Sequence, residues 1–177
     1  MTPLRQSIET YILAKDGNRP HLMSRAFTAD AELVMDVKTD EITFPRTTKG
    51  LGDISAVLVS QFAERYENIY TFCIEVPLDT AAAFRCNWLV CMSEKISGAV
   101  RVGFGNYEWF CRDNSGMISK LKITIEEMKT LPSELSGPIL EWANMLPYPW
   151  CPHDVPLRTA PNIPAAREIA RRLASFH

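Results

Sequence analysis

No apolar run in the 177-residue sequence approaches the roughly 20 residues that cross a bilayer. The first residues, MTPLRQSIET, lack the basic and apolar regions of a secretory signal. The formal net charge is -2, so there is no basic excess to bind a nucleic-acid backbone or an anionic membrane. We therefore expect a soluble cytoplasmic protein with neither nucleic acid nor membrane as a partner.

Cysteine and histidine are scarce, with five and three residues. The cysteines are odd in number and four lie in apolar runs, which indicates reduced core residues instead of a disulfide framework. The stretch CPHD holds Cys151, His153 and Asp154, too few side chains for a zinc site, which typically takes four ligands. We expect no metal.

Two motifs of cofactor and acyl-enzyme chemistry are missing. There is no glycine-rich phosphate loop and no serine-centred nucleophile elbow, so nucleotide hydrolysis and acyl transfer have no basis in the sequence. We expect no cofactor.

The first part of the chain contains helical patterns and one strand. Apolar residues recur at helical spacing over residues 3–15, and a second short helix begins at Pro20. Residues 33–37 are predicted to form a strand, and residues 42–44 a short edge strand. Asp53 is predicted to cap a third helix that continues to Tyr66.

After that helix the apolar period changes from 3.6 to 2. Four strand-like runs follow, joined by the short turns PLDT, KISGA and DNSG. Connections this short require antiparallel neighbours. The order predicts an α+β protein with helices packed on one face of an antiparallel sheet.

The last part of the chain is an extension. A helix is predicted after Ser133, then a proline-rich stretch, then an amphipathic helix in IPAAREIARRLASF. We divide the chain into a domain of residues 1–130 and an extension of residues 131–177. About 45 residues cannot bury a core alone, so the extension must dock on the domain or on a dimer partner.

Four stretches, in this order, resemble one superfamily: YILAKDGNRPHLMSRAFTADAEL, KGLGDI, VPLDTAAAFRCNW and GNYEWFCRDNSGMISKL. From about residue 4 to 128 the sequence resembles the nuclear transport factor 2-like superfamily, and within it the SnoaL-like polyketide cyclases and ketosteroid isomerases. The resemblance implies a curved antiparallel sheet wrapped around the N-terminal helices as a cone. It also implies a cavity for a small apolar, polyketide-like or steroid-like molecule, and a homodimer through the outer face of the sheet.

The resemblance suggests two catalytic residues in the first part of the chain. Tyr11 aligns with the tyrosine that polarises a substrate oxygen in ketosteroid isomerases. Met35 aligns with the acid that acts as the proton-shuttling base in ketosteroid isomerases, and Asp36 is one residue further along the strand. A shift of one residue turns a side chain to the opposite face, so Asp36 reaches the cavity only if a bulge turns it inward. If instead Asp36 ends its strand in water, it is only a turn residue.

The second acid of the family falls near Tyr107 or Glu108. Tyr107 shares a strand face with Trp109 and two glycines, and Glu108 shares the other face with Phe104. The glycines mark either room for a ligand or a bulge or close sheet contact. We take Glu108 as a candidate acid and Tyr107 and Trp109 as candidate wall residues.

Four further residues are candidates for ligand binding. Arg85 and Asn87 are polar residues in the most apolar strand, and the resemblance implies that they face the cavity; facing outward, they would belong to a dimer interface. Trp88 and Phe62 would supply apolar wall.

The leading hypothesis is therefore a small-molecule-binding protein with cofactor-free isomerase, dehydratase or cyclase chemistry, in which Tyr11 polarises an oxygen and Asp36 or Glu108 moves a proton. Many SnoaL-like relatives use a histidine just after the third helix, whereas this chain reads ERYENIYTFC there with no histidine, which argues against a scytalone-dehydratase-type mechanism. The alternative is a non-catalytic binding or dimeric assembly module. A third class is the small subunit of an oxygenase complex.

Overall fold

A computed structural model describes residues 3–78 and 80–176 and contains a seven-stranded sheet in the order β2-β1-β6-β5-β4-β3-β7. The strands are β1 (Phe27–Val37), β2 (Thr47–Lys49), β3 (Tyr66–Ile74), β4 (Ala83–Glu94), β5 (Val100–Cys111), β6 (Ile118–Leu131) and β7 (Trp150–Cys151). The sheet is curved and does not close into a barrel. The α+β cone with a C-terminal helical extension is thus confirmed.

Six α-helices accompany the sheet in the described part of the chain. They are α1 (Pro3–Asp16), α2 (Leu51–Ser55), α3 (Phe62–Arg65), α4 (Ser136–Met145), α5 (Val155–Thr159) and α6 (Pro164–Ser175). A 3₁₀ helix spans Pro20–Arg25, and a π-helical turn at Ala56–Ser60 joins α2 to α3. Within the described residues, no helix is both long and apolar enough to span a membrane.

The four predicted antiparallel strands are β3 to β6, and they pair in sequence order. Two further pairings are parallel: β1 runs alongside β6, and β7 alongside β3. The prediction of a purely antiparallel sheet is wrong at these two places, because both partners are far apart in the sequence and no local pattern reports them.

Four predicted boundaries also differ. Strand β1 begins at Phe27 instead of residue 33, and the edge strand is Thr47–Lys49 instead of residues 42–44. Asp53 lies within α2, whose N-cap is Gly50 with a φ of 89°. Tyr66 is the first residue of β3 and not the end of a helix. Asp79, in the turn quoted for the resemblance, lies outside the described residues.

The sheet carries a hydrophobic core on each face. The inner core lies on the concave face, where Leu4, Ile8 and Ile12 of α1 pack against inward residues of β1, β4, β5 and β6. The outer core lies on the convex face, where Ile139 and Trp142 of α4 and the apolar side of α6 pack against β3, β4 and β5. This explains why β4 is apolar on both faces.

Candidate functional site

A narrow cavity lies in the inner core, between α1, the π-helical turn, the loop before β2 and the concave face of the sheet. Its volume is about 40 Å³. That space holds a few waters and is far smaller than the roughly 300–1,000 Å³ of sites for drug-sized ligands. It is lined by Tyr11, Lys15, Met35, Ile42, Phe44, Leu58, Phe62, Thr71, Trp88, Val90, Met92, Tyr107, Ile123, Ile125 and Met128.

Three methionines border the cavity: Met35, Met92 and Met128. Methionine is unbranched and has three rotatable side-chain bonds, so it fills irregular gaps and can repack around a new neighbour. The cavity can therefore widen by rotamer changes without moving the sheet.

Tyr11 reaches the cavity from the middle of α1 and is fully buried. Its ring meets Phe27, Tyr107 and Trp109 edge to face, with centroids 5.7, 6.3 and 5.5 Å away. Burial raises the pKa of Tyr11 and keeps it protonated, and the Tyr107 hydroxyl opposes this shift only in part. Among the described residues, the Tyr11 hydroxyl makes no hydrogen bond of regular geometry, although it interacts with the hydroxyl of Tyr107.

Trp88 supplies a second buried donor. It lines the cavity beside Tyr107, with ring centroids 5.8 Å apart. Its indole nitrogen is buried and has no hydrogen-bond partner among the described residues. Because buried donors are rarely left unpaired in proteins, Tyr11 and Trp88 mark a place where an acceptor atom would bind.

The other predicted wall residues fall into two groups. Phe62 and Tyr107 line the cavity, and burial raises the pKa of Tyr107. Trp109 lies behind them, 4.9 Å from the Tyr107 ring between centroids, and does not line the cavity. Trp109 therefore holds the tyrosines in place without reaching a ligand.

Asp36 lies outside the cavity. It is exposed on the convex face of β1, and Met35 lines the cavity in its place. The pairing of β1 with β6 runs without a break from Glu32 to Val37, so no bulge turns Asp36 inward. The expectation that Asp36 shuttles a proton in the cavity is corrected, because successive side chains of a strand point to opposite faces.

Arg85, Asn87 and Glu108 also lie on the convex face. The guanidinium of Arg85 donates to Asn106 over 3.1 Å, and the amide of Asn87 donates to the Phe176 carbonyl over 2.8 Å. The Glu108 carboxylate faces the Lys122 ammonium at 3.8 Å. These three residues were expected in the cavity, and the alternation of β4 and β5 removes them from it, because Trp88 and Tyr107 take the inward positions.

A polar cluster at the edge of the cavity was not anticipated from the sequence. The Lys15 ammonium donates to the Thr71 hydroxyl over 2.9 Å and lies 3.7 Å from the Asp16 carboxylate. Asp16 accepts hydrogen bonds from the Thr71 backbone and hydroxyl and from the Tyr148 hydroxyl, over 2.7, 2.8 and 2.7 Å.

One signal could have found Lys15. It follows Tyr11 by four residues, so it lies on the same face of α1. The letters KDGN indicated the end of the helix, and that reading hid the inward direction of the lysine. Within the described residues, no group of three or more His, Cys, Asp or Glu side chains could hold a metal ion.

Comparison with known proteins identifies the fold. No protein-family model matches the sequence, and no curated protein matches it. Solved structures do match. A computationally designed 17-OHP binder superposes with a TM-score of 0.58 and 12% identity, over 73% of this chain and 99% of the binder.

Two natural proteins give the same result. A protein of ketosteroid isomerase-like fold from Catenulispora acidiphila, in complex with trimethylamine, has a TM-score of 0.54 and 15% identity, over 70% of this chain and 85% of its own. An NTF2-like protein from Exiguobacterium has a TM-score of 0.51 and 16% identity, over 68% of this chain and 98% of its own. The chain thus has the nuclear transport factor 2-like, ketosteroid isomerase-like fold.

Proposed function

We propose that the inner cavity binds a small molecule with an apolar body and one oxygen acceptor. The observation that carries this proposal is that two buried donors, the Tyr11 hydroxyl and the Trp88 indole, make no regular hydrogen bond and belong to residues lining a cavity of mainly hydrocarbon. A carbonyl or hydroxyl oxygen bound in the cavity would offer such a donor an acceptor. The apolar wall would supply most of the affinity.

The fold supports the same proposal. A designed protein of similar architecture is a 17-OHP binder, and a natural one holds trimethylamine. The present cavity is too narrow for a steroid-sized or polyketide-sized molecule unless the three methionines repack. We therefore propose a short apolar alcohol, aldehyde or ketone as the first class of ligand to test.

Catalysis of the isomerase, dehydratase or cyclase kind would need a proton-moving group beside Tyr11. Asp36 and Glu108 lie on the other face of the sheet, whereas Lys15 lines the cavity and its ammonium lies 3.7 Å from the Asp16 carboxylate. We propose that any acid/base chemistry in this cavity uses that pair, with Tyr11 polarising the oxygen.

The alternative is a non-catalytic binding or assembly module, in which the convex face of the sheet would form the dimer interface. Helices α4 and α6 cover β3, β4 and β5 there, and α6 also pairs with Glu127 and Lys129 of β6. Among the described residues, a homodimer would therefore use the part formed by β1, the first half of β6 and the end of β5. That part is charged, with Glu32, Lys120, Glu108 and Lys122 forming ion pairs.

We propose a reducing compartment such as the cytoplasm for this protein, because all five cysteines are free thiols.

The variant Tyr11→Phe tests the binding proposal. We expect the affinity for 1-hexanol, measured by calorimetry or NMR titration, to fall about fivefold, because one hydrogen bond contributes about 1 kcal/mol. Tyr70→Phe is the matched control, since the Tyr70 hydroxyl lies outside the cavity near Asn144. Equal affinity in Tyr11→Phe and the wild type would exclude Tyr11 as the donor.

A blocking variant separates the cavity from the protein surface. Val90→Phe fills the space beside Trp88 and should abolish 1-hexanol binding while the circular dichroism spectrum stays unchanged. Binding that survives in Val90→Phe would place the ligand elsewhere and contradict the proposed function.

A further inference from the structure

Lys15 is a lysine held inside the protein. It is 8% exposed and lines the apolar cavity, and its ammonium lies 4.8 Å from the centre of the Phe62 ring. Lysine is almost never fully buried without a partner, and an amine at the wall of an apolar cavity has few groups to react with except a bound molecule. This position gives Lys15 a chemistry that exposed lysines lack.

The surroundings of Lys15 favour its neutral form. Burial lowers the pKa of Lys15 and raises the pKa of Asp16, in each case against the attraction of the other group. The free amine is the nucleophile in lysine chemistry, and a desolvated lysine in an apolar site is the usual way to obtain it near neutral pH.

Asp16 connects the cavity edge to the surface. Its carboxylate contacts Lys15 and Thr71 on the inner side and accepts the hydrogen bond from Tyr148, a residue that is 46% exposed. The two oxygens can therefore take a proton from the amine and return it to a bound molecule.

We propose that the Lys15 amine captures the carbonyl carbon of a molecule bound in the cavity and forms an imine with it, while Asp16 moves the protons. This inference rests on the proposed binding function and names its ligand class as an aldehyde or ketone. It adds a covalent step that reversible binding does not require.

Atoms and charge balance in the formation of this imine. The ammonium proton of Lys15 passes to Asp16, and the neutral nitrogen forms a bond to the carbonyl carbon. The carbonyl oxygen takes the proton from Asp16, the nitrogen releases its second proton to Asp16, and the hydroxyl leaves with that proton as water. One ammonium and one carbonyl give one protonated imine and one water, so no oxidant, reductant or metal is consumed.

Reductive trapping tests the proposal on the full chain. The protein is incubated with hexanal and sodium cyanoborohydride, which reduces an imine to a stable amine, and the product is mapped by peptide mass spectrometry. We expect one hexyl group on Lys15, formed faster than on the exposed Lys38, because the pKa of Lys15 is lowered by burial. Addition of 1-hexanol, which binds but cannot form an imine, should slow the labelling.

Three variants provide controls. Lys15→Arg should lose the adduct, whereas Lys38→Arg should label at Lys15 as the wild type does. Asp16→Asn should slow labelling of Lys15. The wild-type map does not depend on the folding of any variant, so the test stands even if a substitution destabilises the protein.

The outcomes separate this inference from the proposed function. Binding of 1-hexanol together with adducts confined to exposed lysines would overturn the imine and leave the binding proposal intact. Absence of both 1-hexanol binding and Lys15 labelling would overturn both. Labelling of Lys15 that 1-hexanol does not slow would also contradict the inference, because the carbonyl would not then occupy the cavity.

Discussion

At the residue scale, Met35 and Asp36 are neighbours in β1 whose side chains lie on opposite faces of the sheet. A carboxylate at position 35 would be desolvated and its pKa would rise, whereas a carboxylate at position 36 stays in water. The position of one side chain along the strand thus decides whether the cavity contains an acid from β1.

This placement gives a prediction for Asp36. Asp36→Asn should change the free energy of unfolding by less than about 0.5 kcal/mol, because surface substitutions away from special contacts have small effects. The affinity for 1-hexanol should stay unchanged. Met35→Asn is the comparison and should cost about 2 kcal/mol or more, since it buries an amide without a partner. Urea unfolding and titration measure both. A large loss of binding in Asp36→Asn would mean that Asp36 reaches the ligand.

At the element scale, the loop between β1 and β2 covers the cavity. Phe44 stacks on Phe62 with ring centroids 6.2 Å apart and an interplanar angle of 16°. The loop is fixed by Arg101 of β5, whose guanidinium donates to the Glu41 carbonyl and pairs with the Glu94 carboxylate at 2.7 Å. The closed state of the cavity therefore depends on an ion pair at the strand ends.

This pair predicts a pH dependence of stability. Hydrogen bonds from Ser97 and Arg101 hold the pKa of Glu94 below its usual 4.5. A carboxylate with a depressed pKa stabilises the folded state fully above its unfolded pKa and loses that contribution as pH falls through the folded value. Glu94→Gln should therefore be about 1 kcal/mol less stable than the wild type at pH 7, and this difference should shrink as the pH falls below 4.5 and through the lower pKa of the folded state.

Urea unfolding from pH 7 to pH 3 checks this expectation, with Glu134→Gln, an exposed position, as control. A difference between Glu94→Gln and the wild type that stays constant over this range would show that the carboxylate is not the stabilising group.

Local patterns account for much of this architecture. The period of two over β3 to β6 predicts the meander, and the spacing of Leu4, Ile8, Tyr11 and Ile12 predicts α1 with Tyr11 inward. The parallel partners of β1 and β7 could not be predicted, since pairing between distant segments leaves no local signal. The inward faces of β4 and β5 were misassigned at Arg85, Asn87 and Glu108 because both faces of these strands are covered, which removes the alternation that would identify them.

At the scale of the whole molecule, the extension closes the convex face of the sheet. Residues of α4 and α6 form the outer core with β3, β4 and β5, and the Phe176 ring lies 5.6 Å from the Phe104 ring between centroids. Tyr148 of the same extension binds Asp16 at the edge of the cavity. The extension therefore supports the sheet from behind and reaches the edge of the functional site through Tyr148.

Substitutions in α6 test this division of roles. Ile169 is fully buried in the outer core, so Ile169→Ala should lower the free energy of unfolding by about 2–5 kcal/mol, the usual cost of a large-to-small change in a core. The control Arg171→Ala removes an exposed side chain from the same helix and should change the free energy of unfolding by less than about 0.5 kcal/mol. Urea unfolding gives both values.

The affinity of Ile169→Ala for 1-hexanol, measured below its unfolding transition, decides whether the extension also shapes the cavity. We expect an affinity within about twofold of the wild type, because the sheet separates the outer core from the cavity and distant sites usually act independently. Tyr148→Phe should instead alter the labelling rate of Lys15, since it removes one of the hydrogen bonds that hold the Asp16 carboxylate. If Ile169→Ala weakened 1-hexanol binding as strongly as Tyr11→Phe, packing on the convex face would control the shape of the cavity, and the extension would be part of the binding site.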